Sequence, residues 1–437
     1  MKPYSQYKEP KVKWLGNIPL HWEEKRAKYY FKEIDIRSES GNEEMLSVSH
    51  ITGVSPRSEK NVTMFLSETN VGQKKCRPGD LVINTMWAWM AALGISKYDG
   101  IVSPSYGVYR PIDSKKFNQI YLDHLLRTEG YRTEYYCRST GIRSSRLRLY
   151  PDKFLSIPII CPPLEEQNKI VNYLNWKLSK INSFIKAKRK LLILLEETRN
   201  FITNKALSES NIEEKRLQYV VKQIKRPVIR ISSEIYAPIG LYNRGRGIFV
   251  KPKLLGKELG DSTFFWIEEG DLVLSGQFAW EGAVSIATKI EHGCIASHRF
   301  PILRGDDISV KTSFLWAFFQ TELGYLLLNN HSRGAAGRNK PLNLGTLLKE
   351  KIPIPPLNLQ NKIEKVITQE MSLRIEIKRI ERLLVEYKAR LISDLVTGKI
   401  DVRSIIIPNF EQVETELNIS EDVSSFEELV IGEDIEE

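Results

Sequence analysis

The sequence contains itself twice, and no other feature limits the fold so tightly. Residues 23–34 read EEKRAKYYFKEI and residues 213–224 read EEKRLQYVVKQI, identical at 7 of 12 positions at an offset of 190. Gly79-Asp80-Leu81-Val82 returns as Gly270-Asp271-Leu272-Val273, and Ala88-Trp89 as Ala279-Trp280, both at an offset of 191. IPIICPPLEEQNKI, from Ile157, is echoed by IPIPPLNLQNKI, from Ile352; Pro162, Pro163, Leu164, Gln167, Asn168, Lys169 and Ile170 match Pro355, Pro356, Leu357, Gln360, Asn361, Lys362 and Ile363 at an offset of 193. The matches keep their order, so each copy is a globular unit followed by one further element. Two such copies account for nearly all of the 437 residues.

The further element reads as a long helix in both copies. A double proline holds extended backbone and then tolerates a helix start. After it, apolar residues recur at Ile170, Leu174, Leu178, Ile181, Ile185, Leu192, Leu195 and Ile202, with Lys188 and Arg199 interrupting. Steps of three and four describe one helix face. The second copy continues through Ile363, Ile367, Leu373, Ile377, Ile380, Leu384, Tyr387 and Leu391 and stops near Gly398, a natural C-terminal cap. Each helix of about 40 residues is roughly 60 Å long, and so narrow a stripe calls for a helical partner. The other copy is the nearest one. Antiparallel pairing buries both stripes and relates the two units by an approximate two-fold; pairing with another protein is the alternative.

The globular units read as mixed α/β. GDLVIN and GIVSPSYGVYRPI in the first, and GDLVLS and HGCIASHRFPILR in the second, have strand composition bounded by Gly, Asp or Pro. FNQIYLDHLLRTEGYRTEYY and TSFLWAFFQTELGYLLLNNH read as amphipathic helix. The longest apolar runs, such as Phe314 to Phe319, fall far short of the roughly 20 residues of a membrane span. The lysine-bearing start has no apolar signal core behind it, so the cytoplasm is the expected location. Cys76, Cys137, Cys161 and Cys294 form no close pair of the kind used by zinc or redox sites and read as free, mostly buried thiols.

Charge is unevenly placed. Asn409 to Glu437 hold 11 acidic residues and no Lys or Arg, so residues 1–408 carry +21, 64 basic against 43 acidic residues, where the whole chain carries +10. A body so basic favours a polyanion, because phosphate neutralisation releases condensed counterions. A lysine-rich surface kept for solubility is the competing reading. The acidic end reads as a solvated, disordered tail.

Enzyme chemistry finds no support in the letters. There is no Gly-x-x-x-x-Gly-Lys-Ser/Thr loop for nucleotide phosphates and no Asn/Asp-Pro-Pro-Tyr/Phe segment of an amino-methyltransferase. Pro151-Asp152 lacks the Glu-x-Lys triple of a metal nuclease, since neither Glu165 nor Glu166 has Lys two places on. The six histidines, at 21, 50, 124, 292, 298 and 331, show no i, i+4 pair. What remains is recognition. A polar, basic loop precedes each double proline: RSTGIRSSRLR, Arg138 to Arg148, and HSRGAAGRNK, His331 to Lys340. Arg pairs with guanine, Asn with adenine, Ser and Lys with phosphate. The candidate DNA contacts are therefore Arg138, Ser139, Thr140, Arg143, Ser144, Arg146 and Arg148 in the first loop. Arg333, Arg338, Asn339 and Lys340 are their counterparts in the second. Trp89, Trp280 and Gln277, beside Trp87, form a second candidate group; a matched Trp after a matched strand also fits a core position.

With these segments in hand, the chain resembles the specificity subunit of type I restriction-modification systems, the HsdS family. WLGNIPLHWEEKRAKYYF, Trp14 to Phe31, resembles the family's opening segment, and IPIICPPLEEQNKI the start of its central spacer helix. IPIPPLNLQNKI and LISDLVTGKIDV, Leu391 to Val402, resemble its distal spacer helix and closing segment. The likeness runs from residue 4 to about 403. It implies a first target-recognition domain over 1–163, a central spacer helix over 164–210, a second target-recognition domain over 211–356, a distal spacer helix over 357–403 and an unrelated acidic tail over 404–437. It also implies a non-catalytic reader of a bipartite double-stranded DNA site, whose two antiparallel helices form a coiled coil and set the gap of unspecified base pairs. Partners in such a system are two modification subunits that methylate adenine and restriction subunits that translocate and cut. S-adenosylmethionine, ATP and magnesium belong to those partners, and this chain needs no cofactor. The departures are Asn358-Leu359 where the first copy has Glu165-Glu166, and the tail. A helical scaffold for protein partners, with an incidental basic surface, is the alternative function.

Overall fold

The computed structural model describes residues 2–59, 69–141, 147–209, 212–334 and 340–411. The chain divides into two compact units, and the boundary passes through the middle of both long helices: Met1–Phe184 with Glu381–Glu437 form one, and Ile185–Ile380 the other. Each unit thus takes in one globular segment, the half of the long helix adjoining it and the half of the other long helix.

The first unit is built on a four-stranded antiparallel sheet in the order Phe31–Glu33, Gly107–Pro111, Leu81–Ile83, Leu93–Ile95. Leu81, Val82 and Ile83 are buried on both faces, which is why this central strand is an apolar run and not an alternating one. The GIVSPSYGVYRPI segment is two strands, Gly100–Val102 and Gly107–Pro111, because Pro104 in the intervening turn has no N–H for a ladder. The helical segment after it likewise divides, into Gln119–Leu126 and Glu129–Arg138. The Asn118 side chain caps the first by accepting from the Ile120 and Tyr121 amides.

Strand Glu23–Arg26 pairs antiparallel with Pro158–Cys161, which feeds the central helix, Leu164–Leu207. The repeated Gln167 is fully buried at this junction. Its amide donates to the Pro162 and Lys116 carbonyls at 2.8 and 3.1 Å, and its oxygen accepts from the Asn118 amide at 2.8 Å. Ile170, Val171 and Leu174 of the central helix join one core with Leu391, Leu395 and Val396 of the distal helix, Leu357–Val396, so the two run antiparallel here. Gly398, at φ +79°, lies just past the distal helix end.

Glu166 explains the first departure between the copies. It is 5% exposed, accepts from the Tyr4 hydroxyl at 2.5 Å and the Trp22 indole at 3.0 Å, and stands 2.7 Å from His21 Nε2. The segment that supplies these groups precedes the repeat and has no second copy. At the matching position Leu359 packs into the apolar core of the second unit.

The second unit repeats the plan: Val221–Ile224, Ile302–Gly305, Leu272–Leu274, Val284–Ile286, again antiparallel throughout. HGCIASHRFPILR supplies two strands, Ile295–Ser297 and Ile302–Gly305. The following helices are Thr312–Phe319 and Glu322–Asn330. The first of these is not amphipathic: Phe314 to Phe319 are all buried, as befits a core helix that is apolar all round. Gln360 repeats the Gln167 bonds, donating to the Pro355 and Ser309 carbonyls and accepting from the Lys311 amide.

Lys188 and Arg199, the interruptions in the apolar stripe, are answered by acids on the distal helix. Lys188 pairs with Glu376 at 3.2 Å and Arg199 with Glu370 at 2.6 Å, while Arg374 reaches back to Glu196. The numbers fall along one helix as they rise along the other, the antiparallel pairing expected of a coiled coil. Cys76, Cys161 and Cys294 are buried and Cys137 is exposed, all as free thiols. Among the described residues no helix is long and apolar enough to cross a membrane.

Candidate nucleic-acid interface

The repeated Ala-Trp pairs sit at the tip of the hairpin that joins two neighbouring sheet strands in each unit. Ala88–Met90 and Ala279–Glu281 each form one short 3-10 turn. It closes on a left-handed residue, Ala91 at φ 61° and Gly282 at φ 73°. The Asn84 amide bonds to the Ala92 carbonyl and the Ser275 amide to the Ala283 carbonyl, both at 2.9 Å. The two tips therefore share one backbone. The Asn84 side chain also donates to Tyr106 Oη at 3.1 Å, and burial raises the Tyr106 phenol above its ordinary range, so it stays neutral.

The polar loops are fastened to these tips. In the first unit Thr140 and Arg148 exchange backbone hydrogen bonds at 2.9 Å across the loop base, and the Leu149 amide donates to the Thr85 carbonyl on the tip. In the second, Ser332 bridges Leu342, and the Leu342 amide donates to the Gly276 carbonyl, the residue equivalent to Thr85. The structure thus brings together two groups of residues that the sequence offered separately.

Their surroundings differ. Arg148 is exposed, with Nη2 3.8 Å from Met86 Sδ. Thr140 is exposed beside it. Arg138 is held within the domain by Glu134 and by Ser156 Oγ, and Ser139 Oγ donates to the Tyr135 carbonyl at the helix end. Arg333 is exposed, and the Lys340 ammonium sits 4.6 Å from the centre of the Trp280 ring. Arg143, Ser144, Arg146, Arg338 and Asn339 lie outside the described residues. Trp89 and Trp280 are half-buried, neither core nor free surface, and Gln277 is half-exposed next to them.

Sequence reasoning missed a basic loop in the second unit. Asn243, Arg244, Gly245 and Arg246 fold against the tip: the Arg244 amide donates to the Glu281 carbonyl and the Gly245 amide to the Gly282 carbonyl, both at 2.9 Å. Arg244 is held at φ 57°, a conformation that costs a non-glycine residue energy and persists only where the surroundings enforce it. Both arginines are exposed, and the Asn-Arg-Gly-Arg-Gly run was the available signal. Exposed aromatic residues on a turn, framed by Arg and Lys, are suited to the groove and backbone of nucleic acid.

Comparison with known proteins agrees with this geometry. Residues 175–386 match the family model described as the type I restriction modification DNA specificity domain. That stretch contains the whole of the second unit, Ile185–Ile380, and the globular part of the first unit is a repeat of the same plan. A solved chain from work on complex assembly and conformational transition of the type I R-M system superposes with a TM-score of 0.56 at 16% identity, covering 88% of this chain and 99% of the other. The HsdS subunit from Thermoanaerobacter tengcongensis gives a TM-score of 0.46 at 17% identity, over 88% of this chain and 98% of that one. The type I S subunit from M. genitalium gives 0.40 at 14% identity, over 92% and 100%.

Proposed function

Because residues 175–386 match the type I restriction modification DNA specificity domain, we propose that the chain is a specificity subunit of that family, the non-catalytic DNA reader of such a system, working in the cytoplasm. Each unit reads one half of a bipartite target, and partner subunits carry out methylation and cleavage. The observation that carries this reading is the doubled construction: two units with the same hairpin tip and a polar loop whose base is fastened to it by the same backbone bond, on a strongly basic body. Exposed Arg148, Arg244 and Arg333 are suited to phosphates or guanine edges. S-adenosylmethionine, ATP and magnesium act on the partner chains, and the long helices set the gap between half-sites.

The helices also bear on partner docking. Leu191, Leu194 and Phe201 of the central helix are 46%, 48% and 68% exposed. They follow steps of three and seven along one face, a stripe suited to another helix. Two modification subunits, one for each half, are the occupants this reading implies.

The test is to combine the full chain with its methyltransferase partner and S-adenosylmethionine, methylate a randomised duplex library and sequence the product. A split motif is expected, with binding that weakens steeply in a log–log plot against salt. Unspecific methylation, or binding indifferent to salt, overturns the reading.

A further inference from the structure

Two units with one backbone cannot tell different half-sites apart through residues they share. Ala88-Trp89 and Ala279-Trp280 are identical and similarly placed, whereas the two residues before them differ: Met86-Trp87 in one unit, Gln277-Phe278 in the other. Trp87 is 41% exposed and Phe278 39% exposed, both large aromatic residues at equivalent positions beside basic loops. Each shared Trp lies two residues further on. In the first unit the Trp89 indole donates to the Met86 carbonyl at 3.0 Å, and its ring lies along Trp87, with centroids 6.1 Å apart and planes 17° from parallel.

We propose that Trp87 and Phe278 are specificity-determining residues, each making apolar contact with a thymine methyl group in the half-site its unit reads, with Trp89 as a positioning residue for Trp87. The proposal rests on the DNA-reading function and names side chains that perform it. Trp89 lies beside Trp87 in an offset, near-parallel arrangement, and the exposed part of Trp87 is apolar ring surface that can meet a methyl group in the major groove. Gln277, next to Phe278, adds a side-chain amide of the kind that pairs with adenine. Met86 at the matching position cannot, so the two half-motifs differ at the base pair this position reaches.

The experiment uses the full chain with its methyltransferase partner and duplexes carrying the motif read from the library, in which each thymine in turn is replaced by deoxyuridine. Loss of the contacted methyl is expected to weaken binding about fourfold, as for one buried methyl-sized group, at one position in each half. Phe278→Ala abolishes that sensitivity in one half only, and Trp87→Ala abolishes it in the other. Phe278→Trp and Trp87→Phe, which keep an apolar ring on the same scaffold, retain it; they decide the matter should an alanine variant fail to fold. Trp89→Phe, which deletes the bond to the Met86 carbonyl, reduces methyl sensitivity in the Trp87 half while the melting temperature and salt slope stay unchanged. A split motif with no methyl-sensitive thymine, or variants that keep full sensitivity, overturns the proposal and leaves the DNA-reading function standing. The absence of any split motif overturns both.

Discussion

The buried charges between the helices of the second unit make a sharp thermodynamic prediction. Glu370 is fully buried and Arg199 is 6% exposed, joined at 2.6 and 2.8 Å; Arg374 holds Glu370 at 3.0 Å and extends to Glu196. Burial pulls the Arg199 guanidinium below its usual range and pushes the Glu196 carboxyl up, with Glu370 opposing the first shift and Arg374 the second. Removing one member of such a set leaves a buried charge without its partner, at a cost of about 3–5 kcal/mol. Glu370→Gln is therefore expected to lower stability by that amount, since it strips two guanidinium groups of their common carboxylate. Arg199→Met costs less, about 1–3 kcal/mol, because Glu370 keeps Arg374. The double variant Arg199→Met/Glu370→Leu leaves Arg374 paired with Glu196 and is expected within about 1 kcal/mol of the parent, as buried pairs replaced by apolar groups of similar volume often are. For a unit of this size each kcal/mol moves the melting temperature by roughly 2–4 °C, so Glu370→Gln shifts it by roughly 6–20 °C. Calorimetry on these three variants, with Glu370→Leu alone as a fourth, closes the cycle. Additive losses, with the double variant worse than Glu370→Gln, refute the argument that the charges stabilise only as a set.

Two further outcomes follow from single groups. His124, on the helix Gln119–Leu126, has its pKa lowered from 6.5 by burial and by the positive charges of Lys388 and Arg127, against the pull of Asp123. Burial lowers Lys388 as well. The unfolded chain takes up the imidazole proton at about 6.5 and the folded chain resists it. This contribution to stability is therefore complete above the unfolded value and lost as pH falls below it; melting at pH 7.5 and 5.5 is expected to show a smaller difference in His124→Gln than in the parent. Arg244→Ala is expected to weaken all DNA sequences alike and to reduce the salt slope by about one; a change of motif without a change of slope refutes a phosphate contact.

The repeat made the architecture legible. An offset of 190–193 residues fixed two equivalent units, and the apolar steps after each double proline located both helices. The matched Gln167 and Gln360 looked like part of a helix-start motif; their reason is three-dimensional, since each bonds a carbonyl of its own proline pair and two backbone groups of the connection before the following helix. Asp80 and Asp271 behave likewise, pairing with Arg110 and Arg304, residues no local pattern connects to them. Turns inside the strand and helix segments were harder to read. Thr312–Phe319 has the letters of a helix face repeated on every side, and only its burial shows that no face points to water.

The interface was legible in pieces and not as a whole, because its parts are joined by backbone hydrogen bonds that carry no residue preference. Leu149 to Thr85 and Leu342 to Gly276 connect different residue types by the same amide-to-carbonyl geometry. Such a joint lets side chains change while the scaffold is kept. The matched Ala and Trp residues of the tip are buried or half-buried, and among the unmatched ones Trp87 and Phe278 are exposed. Arg244 fits the same division: its strained backbone is held by carbonyls of Glu281 and Gly282, so the cost lies in the scaffold while the side chain is exposed. A reader that must recognise two different half-sites needs this separation, because a side chain that both held the tip together and read a base could not be exchanged without loosening the tip.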